Sequence, residues 1–255
     1  MLTAVPKANP ARLLAQSAAQ LSNQLAAMRD QIPVTAVYDP SRYARQPFEN
    51  FLQLCASGPR RFLMLGMNPG PWGMAQTGVP FGTVSWVRDW MGITGEIGQP
   101  EEMIASRPVS GWACAREEVS GSRLWGMLDE LYGSAERLFA EVAVFNYCPL
   151  LFLQTIDHRT RNVTPDRLPK DIAGQIGSAC DEHLAQAIEL LDPQLLIGVG
   201  AYAHSRLQQV APDRRSGKIL HPSPASPAAN RGFREQALGQ LQDLNMGPAS
   251  TVAAE

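Results

Sequence analysis

The sequence predicts an α/β protein, a three-layer α/β/α sandwich with a central four-stranded parallel sheet. Two observations carry this expectation. Short runs with apolar cores, at 62–65, 142–145, 194–199 and 218–220, alternate with longer segments of helical period. Buried parallel strands and their covering crossovers leave that pattern. In addition, three of the four runs lead to a polar residue with proline close behind it: Asn68-Pro69, Asn146-Tyr147-Cys148-Pro149 and His221-Pro222. Ligands of such sheets lie beyond the carboxyl ends of the strands. Asn68, Asn146 and His221 are therefore expected around one crevice.

Along the chain, residues 11–30 place Leu13, Leu14, Ala18, Leu21, Leu25 and Met28 at helical spacing. The polar face is rich in Gln and Ser rather than basic, so the apolar face suits a protein core and not a membrane surface. This helix is expected to form an amino-terminal extension, about 1–45, of a single domain over 1–246. Residues 34–40 read as irregular and 48–55 as a helix broken by Gly58-Pro59. The first strand then delivers a loop over 66–82 crowded with glycine and proline and almost free of charge. Proline fixes φ and the apolar residues need burial, so this is a rigid pocket wall rather than a linker. Glycine lets its backbone approach a ligand, and the Asn68 amide can both donate and accept.

Residues 84–91 read as helix, with Trp86, Val87 and Trp90 on one side, and 92–109 as an excursion without period. A helix over 122–132 ends at Gly133. After the second strand, 154–169 is polar, with His158, Arg159 and Arg161, and reads as a surface loop. The longest helix spans 168–191. Gly200 follows the third strand and opens a helix over 201–210. The fourth strand delivers His221-Pro222-Ser223-Pro224, ahead of a last helix over 232–244. The tail, 247–255, is expected to be disordered.

Composition bounds the function. The chain has 255 residues, 45% of them hydrophobic, with a net charge of −2, so no overall basic field advertises nucleic acid. A local patch suffices to hold phosphates, however. Between Pro212 and Arg234 stand Arg214, Arg215, Lys218, Arg231 and Arg234 against Asp213 alone. Such a segment suits a grip on a phosphate backbone, with a plain solvated surface the alternative for Arg214 and Arg215. The cysteines, Cys55, Cys114, Cys148 and Cys180, lack the spacing of a zinc or iron–sulfur site. No metal and no cofactor are expected. No apolar run approaches the ~20 residues of a membrane span, and the first residues lack the order of a signal peptide. A soluble cytoplasmic protein is the expectation.

Each strand-end residue has a plain alternative. Asn68 could cap a turn, Asn146 likewise, and His221 could be a structural histidine. Jointly, two amides and an imidazole suit a neutral planar molecule with amide-like edges, such as a nucleobase. Phe81, between Pro80 and Gly82, could supply a stacking face, with core packing as its alternative. No carboxylate sits within the three loops, which fits a paired-carboxylate hydrolase poorly. No serine stands in a G-x-S-x-G turn. Gly198-x-Gly200 is an incomplete dinucleotide fingerprint, better explained by tight packing.

The stretch Gly66-Met67-Asn68-Pro69-Gly70-Pro71-Trp72-Gly73-Met74-Ala75-Gln76-Thr77-Gly78-Val79-Pro80-Phe81-Gly82 closely resembles the first motif of the single-strand-selective monofunctional uracil-DNA glycosylases. Asn146-Tyr147-Cys148-Pro149-Leu150 is similar to that family's central motif, and His221-Pro222-Ser223-Pro224 to its last. Val87-Arg88-Asp89-Trp90 and Arg161-Asn162-Val163-Thr164-Pro165 resemble it as well. The resemblance covers roughly residues 48–244. It implies the uracil-DNA glycosylase fold and hydrolysis of the bond between deoxyribose and uracil or 5-hydroxymethyluracil, leaving an abasic site. It implies as catalytic residues Asn68, which positions water, and His221, which bonds the uracil O2. Asn146 would read the O4 and N3 edge and Phe81 would stack on the base. Met67 would supply backbone contacts, and Gly70 would leave room beside C5. Ser223, Pro224, Ala225, Ser226 and Arg231 would meet DNA. Vertebrate members typically carry arginine where this chain has Ala225, so the wedge into the duplex is less bulky here. The implied partners are single- and double-stranded DNA containing uracil or oxidised pyrimidines, with no membrane, bound by a monomer. The implied location is the nucleoid of a bacterium or the nucleus of a eukaryote. The competing readings are a same-fold glycosylase for hypoxanthine or xanthine, and a damaged-base binding module that does not cut.

Overall fold

A computed structural model of the protein describes residues 9–249. In order, the elements are α1 (Pro10–Ala26), β1 (Ala36–Tyr38), α2 (Pro40–Tyr43), α3 (Arg45–Cys55), β2 (Phe62–Gly66) and α4 (Met74–Thr77). After a π-helical segment at Ser85–Trp90 come α5 (Val119–Tyr132), α6 (Ala135–Glu141), β3 (Val142–Asn146), β4 (Leu151–Ile156) and β5 (Arg159–Val163). The chain continues through α7 (Lys170–Leu191), β6 (Leu195–Val199), α8 (Ala201–Val210), β7 (Ser216–Ile219) and α9 (Phe233–Asp243).

Four strands form one parallel sheet in the order β3-β2-β6-β7. Its two central strands are buried along their whole length, β2 as Phe-Leu-Met-Leu-Gly and β6 as Leu-Leu-Ile-Gly-Val. Such continuous apolar runs need cover on both faces. The chain leaves β2 for β3 on one side, then passes β2 again to reach β6 and β7 on the other. Right-handed crossovers therefore put α5 and α6 on one face and α7 and α8 on the opposite one. This is the expected three-layer sandwich. Gly133 ends α5 at φ 79°, as the sequence indicates.

Besides the short helix α6, which the sequence reading did not mark, and a fourth strand at Ser216–Ile219 in place of 218–220, two segments differ from that reading. Residues 34–40 contain β1, and the supposed loop at 154–169 contains most of a β-hairpin, giving a second, antiparallel sheet in the order β1-β4-β5. The hairpin turns on Asp157 and His158, at φ 47° and 62°. Asp and His tolerate the left-handed region, but they lack the Asn-Gly signal that marks such turns in a sequence. β5 is largely exposed, which explains its polarity. The expected disordered tail falls partly at 250–255, outside the described residues. Among the described residues no helix is long and apolar enough to cross a membrane.

The amino-terminal helix is built into the core: Ala11, Leu14, Ala18, Leu21 and Leu25 are buried against the main cluster. α1 packs on α7 and α3, and Ser17 Oγ lies 2.7 Å from His183 Nδ1 of α7. Burial pulls His183 down to about 4. Its ordinary value is about 6.5, so between those values the unfolded chain binds a proton that the folded one does not. Stability is therefore expected to fall as pH drops from about 6.5 to 4. Part of the residue stays in contact with solvent, so the loss is put at about 1–3 kcal/mol. His183→Gln should flatten this dependence, read as melting temperature at pH 7 and pH 4.5. An equal acid loss in both proteins would refute this role.

Candidate active site

The sheet order makes a topological switch between β2 and β6, whose outgoing helices lie on opposite faces. A crevice opens there beyond the strand ends. Asn68 follows β2, Asn146 ends β3, and His221 follows β7. The pairing continues past the ladders: Tyr147 N–H donates to Gly66 O (3.0 Å) and Cys148 N–H to Met67 O (2.9 Å). On the other side Gly200 N–H donates to Ile219 O (2.9 Å). All three predicted residues thus stand along one edge of the parallel sheet.

Phe81 is held by the absence of two side chains. A Cβ on Gly66 would lie 2.5 Å from the Phe81 ring and 2.5 Å from Asn146 Oδ1. One on Gly121, in the first turns of α5, would lie 2.0 Å from the Phe81 carbonyl oxygen. Phe81 itself sits at φ 57°, a conformation that costs a non-glycine residue about 1–3 kcal/mol. Thr77 secures the turn by donating its hydroxyl to Gly82 O (2.7 Å) and accepting from Val79 N–H (3.2 Å). Asn146 Nδ2 points at Met74 Sδ (3.3 Å), while its buried Oδ1 has no hydrogen-bond partner. A buried acceptor left open beside an aromatic face is an invitation to a ligand N–H.

Asn68 Nδ2 donates to Leu150 O (3.3 Å). Asn162, on β5, donates Nδ2 to Pro69 O (3.2 Å) and so ties the hairpin to this loop. Orienting the Asn68 amide through its nitrogen leaves Oδ1 as the end that can accept. Met67 is half-buried and engaged through its carbonyl. His221 Nδ1 accepts from Ser223 N–H (3.1 Å), so the neutral ring carries its proton on Nε2. Burial lowers the pKa of His221 and favours that neutral form. Gly200, at φ 96°, leaves the ring its space: a Cβ there would meet His221 Cδ2 at 3.0 Å. Gly198 likewise admits the start of α8, its Cβ position lying 2.4 Å from His204 N. The glycine pair serves packing, as the sequence reading preferred.

The His221 loop is pinned from α5. Arg123 donates to Pro222 O (3.0 Å) and Asn230 Oδ1 (3.1 Å), and Asn230 donates to Pro224 O (2.7 Å). Pro224, Ala225 and Arg231 are exposed, and Ser223 and Ser226 half-buried. The basic segment is less free than its composition implies. Arg214 pairs with Asp192 and Arg234 with Glu130 and Glu235, while Arg215 donates to Leu244 O. Arg231 makes no ion pair among the described residues.

Residues 52–242 match the uracil DNA glycosylase superfamily. The chain belongs to that superfamily. It is 42% identical over 236 residues to the single-strand selective monofunctional uracil-DNA glycosylase of Rattus norvegicus, covering 91% of this chain and 84% of that one. The Bos taurus protein of the same name is 40% identical over 240 residues, covering 92% and 87%. The crystal structure of Pedobacter heparinus SMUG2 has the same fold, with a TM-score of 0.61 at 16% identity over 88% of this chain and 98% of that one.

In this superfamily member a carboxylate does stand at the site, although none occupies the three loops. Glu118, at the start of α5, accepts from Trp72 N–H (3.1 Å) and Ser120 Oγ–H (3.0 Å), and also from Gly73 N–H. Burial raises its pKa, and the three hydrogen bonds hold it back. A Cβ on Gly70 would lie 1.8 Å from its carboxylate oxygen. The direction that a Gly70 side chain would take is therefore occupied by Glu118. Glu118, Gly121 and Arg123 all come from the Glu118-Val119-Ser120-Gly121-Ser122-Arg123 stretch. The sequence reading started this helix at Ser122 and gave no role to the residues just ahead of it.

The Phe81 contact predicts opposite signs for two glycines of one helix. Gly121→Ala should cost about 1–3 kcal/mol, because the methyl meets a backbone carbonyl. At Gly126 the nearest atom to an added Cβ is Trp86 Cζ2 at 3.6 Å, an ordinary contact, so Gly126→Ala should be neutral or stabilising by up to about 1 kcal/mol. Urea unfolding of both variants checks this. Equal effects would contradict the contact.

Proposed function

We propose that this chain is a monofunctional uracil-DNA glycosylase of base excision repair. It hydrolyses the N-glycosidic bond of uracil, and of 5-hydroxymethyluracil, to leave an abasic site. The observation that carries the proposal is the open Asn146 Oδ1 beside the Phe81 ring. Uracil presents an N–H at N3 flanked by the O4 acceptor, which matches an amide offering Oδ1 and Nδ2. Cytosine presents an acceptor at N3 and a donor at C4, and would oppose like to like.

The base is flipped out of its stack and laid on Phe81. As the glycosidic bond lengthens, positive charge grows on the sugar and negative charge on the base. His221, neutral with its proton on Nε2, donates to the uracil O2 as that charge gathers. Asn68 Oδ1 accepts from the attacking water and holds it toward the sugar. An amide is a poor base, so its contribution is placement of water in a field that already suits the transition state. None of these pocket positions is a lysine, consistent with hydrolysis and without Schiff-base chemistry. Ser223, Pro224, Ala225, Ser226 and Arg231 form the surface that meets DNA, single- or double-stranded, and one copy of the chain suffices. The enzyme acts where chromosomal DNA is held, in a nucleoid or a nucleus.

The test is excision from oligonucleotides carrying uracil, 5-hydroxymethyluracil or hypoxanthine, followed by alkaline cleavage of abasic sites. Strand breaks at uracil are expected. Breaks only at hypoxanthine would favour a purine-directed enzyme, and binding without breaks a recognition module. Asn68→Ala should lower single-turnover excision by ~100-fold or more, the scale of a lost transition-state contact. His221→Leu should lower it in the same direction. Near wild-type rates in Asn68→Ala would show that water is positioned by another group.

A further inference from the structure

Three oxygens gather about one nitrogen of the Asn68 loop. Asn68 Nδ2 lies 3.3 Å from Leu150 O, 3.5 Å from Pro69 O and 3.5 Å from Asn162 Oδ1. The two ends of an amide are alike in size and opposite in polarity. With its ends exchanged, Asn68 would set its oxygen against three oxygens and turn its N–H groups to the crevice. These acceptors decide which end of the amide a water meets.

Of the three, only Asn162 Oδ1 belongs to a side chain. Asn162 is itself oriented, because its Nδ2 donates to Pro69 O (3.2 Å). Exchanging its ends would bring Oδ1 against that carbonyl. Pro69 O therefore turns the Asn162 amide, and Asn162 in turn offers its oxygen to Asn68. The antiparallel sheet holds this arrangement. Asn162 of β5 stands opposite Leu153 of β4, and directly opposed residues share a face. Leu153 is buried with Ala75 and Val109. Leu150, whose carbonyl is the shortest of the three contacts, immediately precedes β4. Asn162 is exposed and Asn68 half-buried, so in the free protein water competes for these long contacts. Such contacts tighten once substrate covers a site.

We propose that Asn162 is a positioning residue for the reaction: its amide, turned by Pro69 O, keeps Asn68 in the orientation that presents Oδ1 to the attacking water. This rests on the role given to Asn68 above. The second sheet thereby takes part in the chemistry, by orienting a group that the parallel sheet delivers.

The experiment is a double-mutant cycle, read as the single-turnover rate of uracil excision from a single-stranded oligonucleotide at saturating protein. Asn162→Ala is expected to lower the rate about 10-fold or more, since a misplaced positioning group costs up to about 100-fold. In the Asn68→Ala background the same substitution should change the rate less than about 3-fold, because no amide is left to orient. Affinity for the oligonucleotide should change less than the rate in the single variant. An unchanged rate in Asn162→Ala, or equal losses in both backgrounds, would overturn the proposal and leave Asn162 as a tether of the turn. A loss of affinity at an unchanged rate would also overturn it and make Asn162 a DNA contact. Should Asn162→Ala loosen the hairpin, read as a lower melting temperature, Asn162→Thr removes the amide with a residue that favours strands, and the same expectations hold. A wild-type protein inactive on uracil, or near wild-type rates in Asn68→Ala, would instead defeat the reading of Asn68 itself, an outcome those two samples show without any Asn162 variant.

Discussion

Phe81 occupies space that two other residues must leave empty. Its ring lies against Gly66, the last residue of β2, and its carbonyl against Gly121 of α5. No other residue at either position lets the ring reach the sheet edge beside Asn146. Because interiors are close-packed, that steric pinch fixes how far α5 stands from the strand ends. It also fixes where Glu118 and Arg123 fall. Glu118 then holds the Trp72–Gly73 backbone and Arg123 the Pro222 carbonyl. One short stretch at the start of α5 thereby sets three walls of the crevice, next to the left-handed strain at Phe81.

Within that frame the strand ends do different electrical work. Two carry a neutral group oriented by a backbone partner, Asn68 by Leu150 O and His221 by Ser223 N–H, while the Asn146 amide points its Nδ2 at Met74 Sδ. In the proposed reaction, dipoles held in place in this way are the ones that count most as charge separates between sugar and base. The Glu118 carboxylate abuts Gly70 and is held by Trp72 N–H, Gly73 N–H and Ser120 Oγ–H. Of the basic residues around the His221 loop, Arg214 is paired with Asp192 and Arg234 with Glu130 and Glu235, while Arg215, Lys218 and Arg231 make no ion pair among the described residues.

Much of this is legible in the sequence. Strands β2, β3 and β6 were visible because they are apolar and buried almost throughout, β7 less so because only its last residues are apolar, and the candidate site was suggested by polar residues with prolines at three strand ends. The β4–β5 hairpin was not, since its outer strand is polar and turns on Asp157-His158 rather than on a glycine. With it went the role of Asn162, whose contact with Pro69 depends on that pairing. Glu118 and Gly121 were missed for another reason. They lie far from the loops in sequence, and a side chain's absence at one position is informative only once its neighbour across the fold is known. The basic segment misled because ion pairing is decided by other elements of the chain.

The claim on which the account turns is that His221 is a neutral donor through Nε2. Nitrogen-15 NMR of the histidine ring, assigned by comparison with a His221→Leu sample, reads this directly in the free protein. At pH 7 the account predicts a neutral ring with the proton on Nε2 and Nδ1 unprotonated. A ring protonated on both nitrogens at that pH, or a neutral ring bearing its proton on Nδ1, would contradict it.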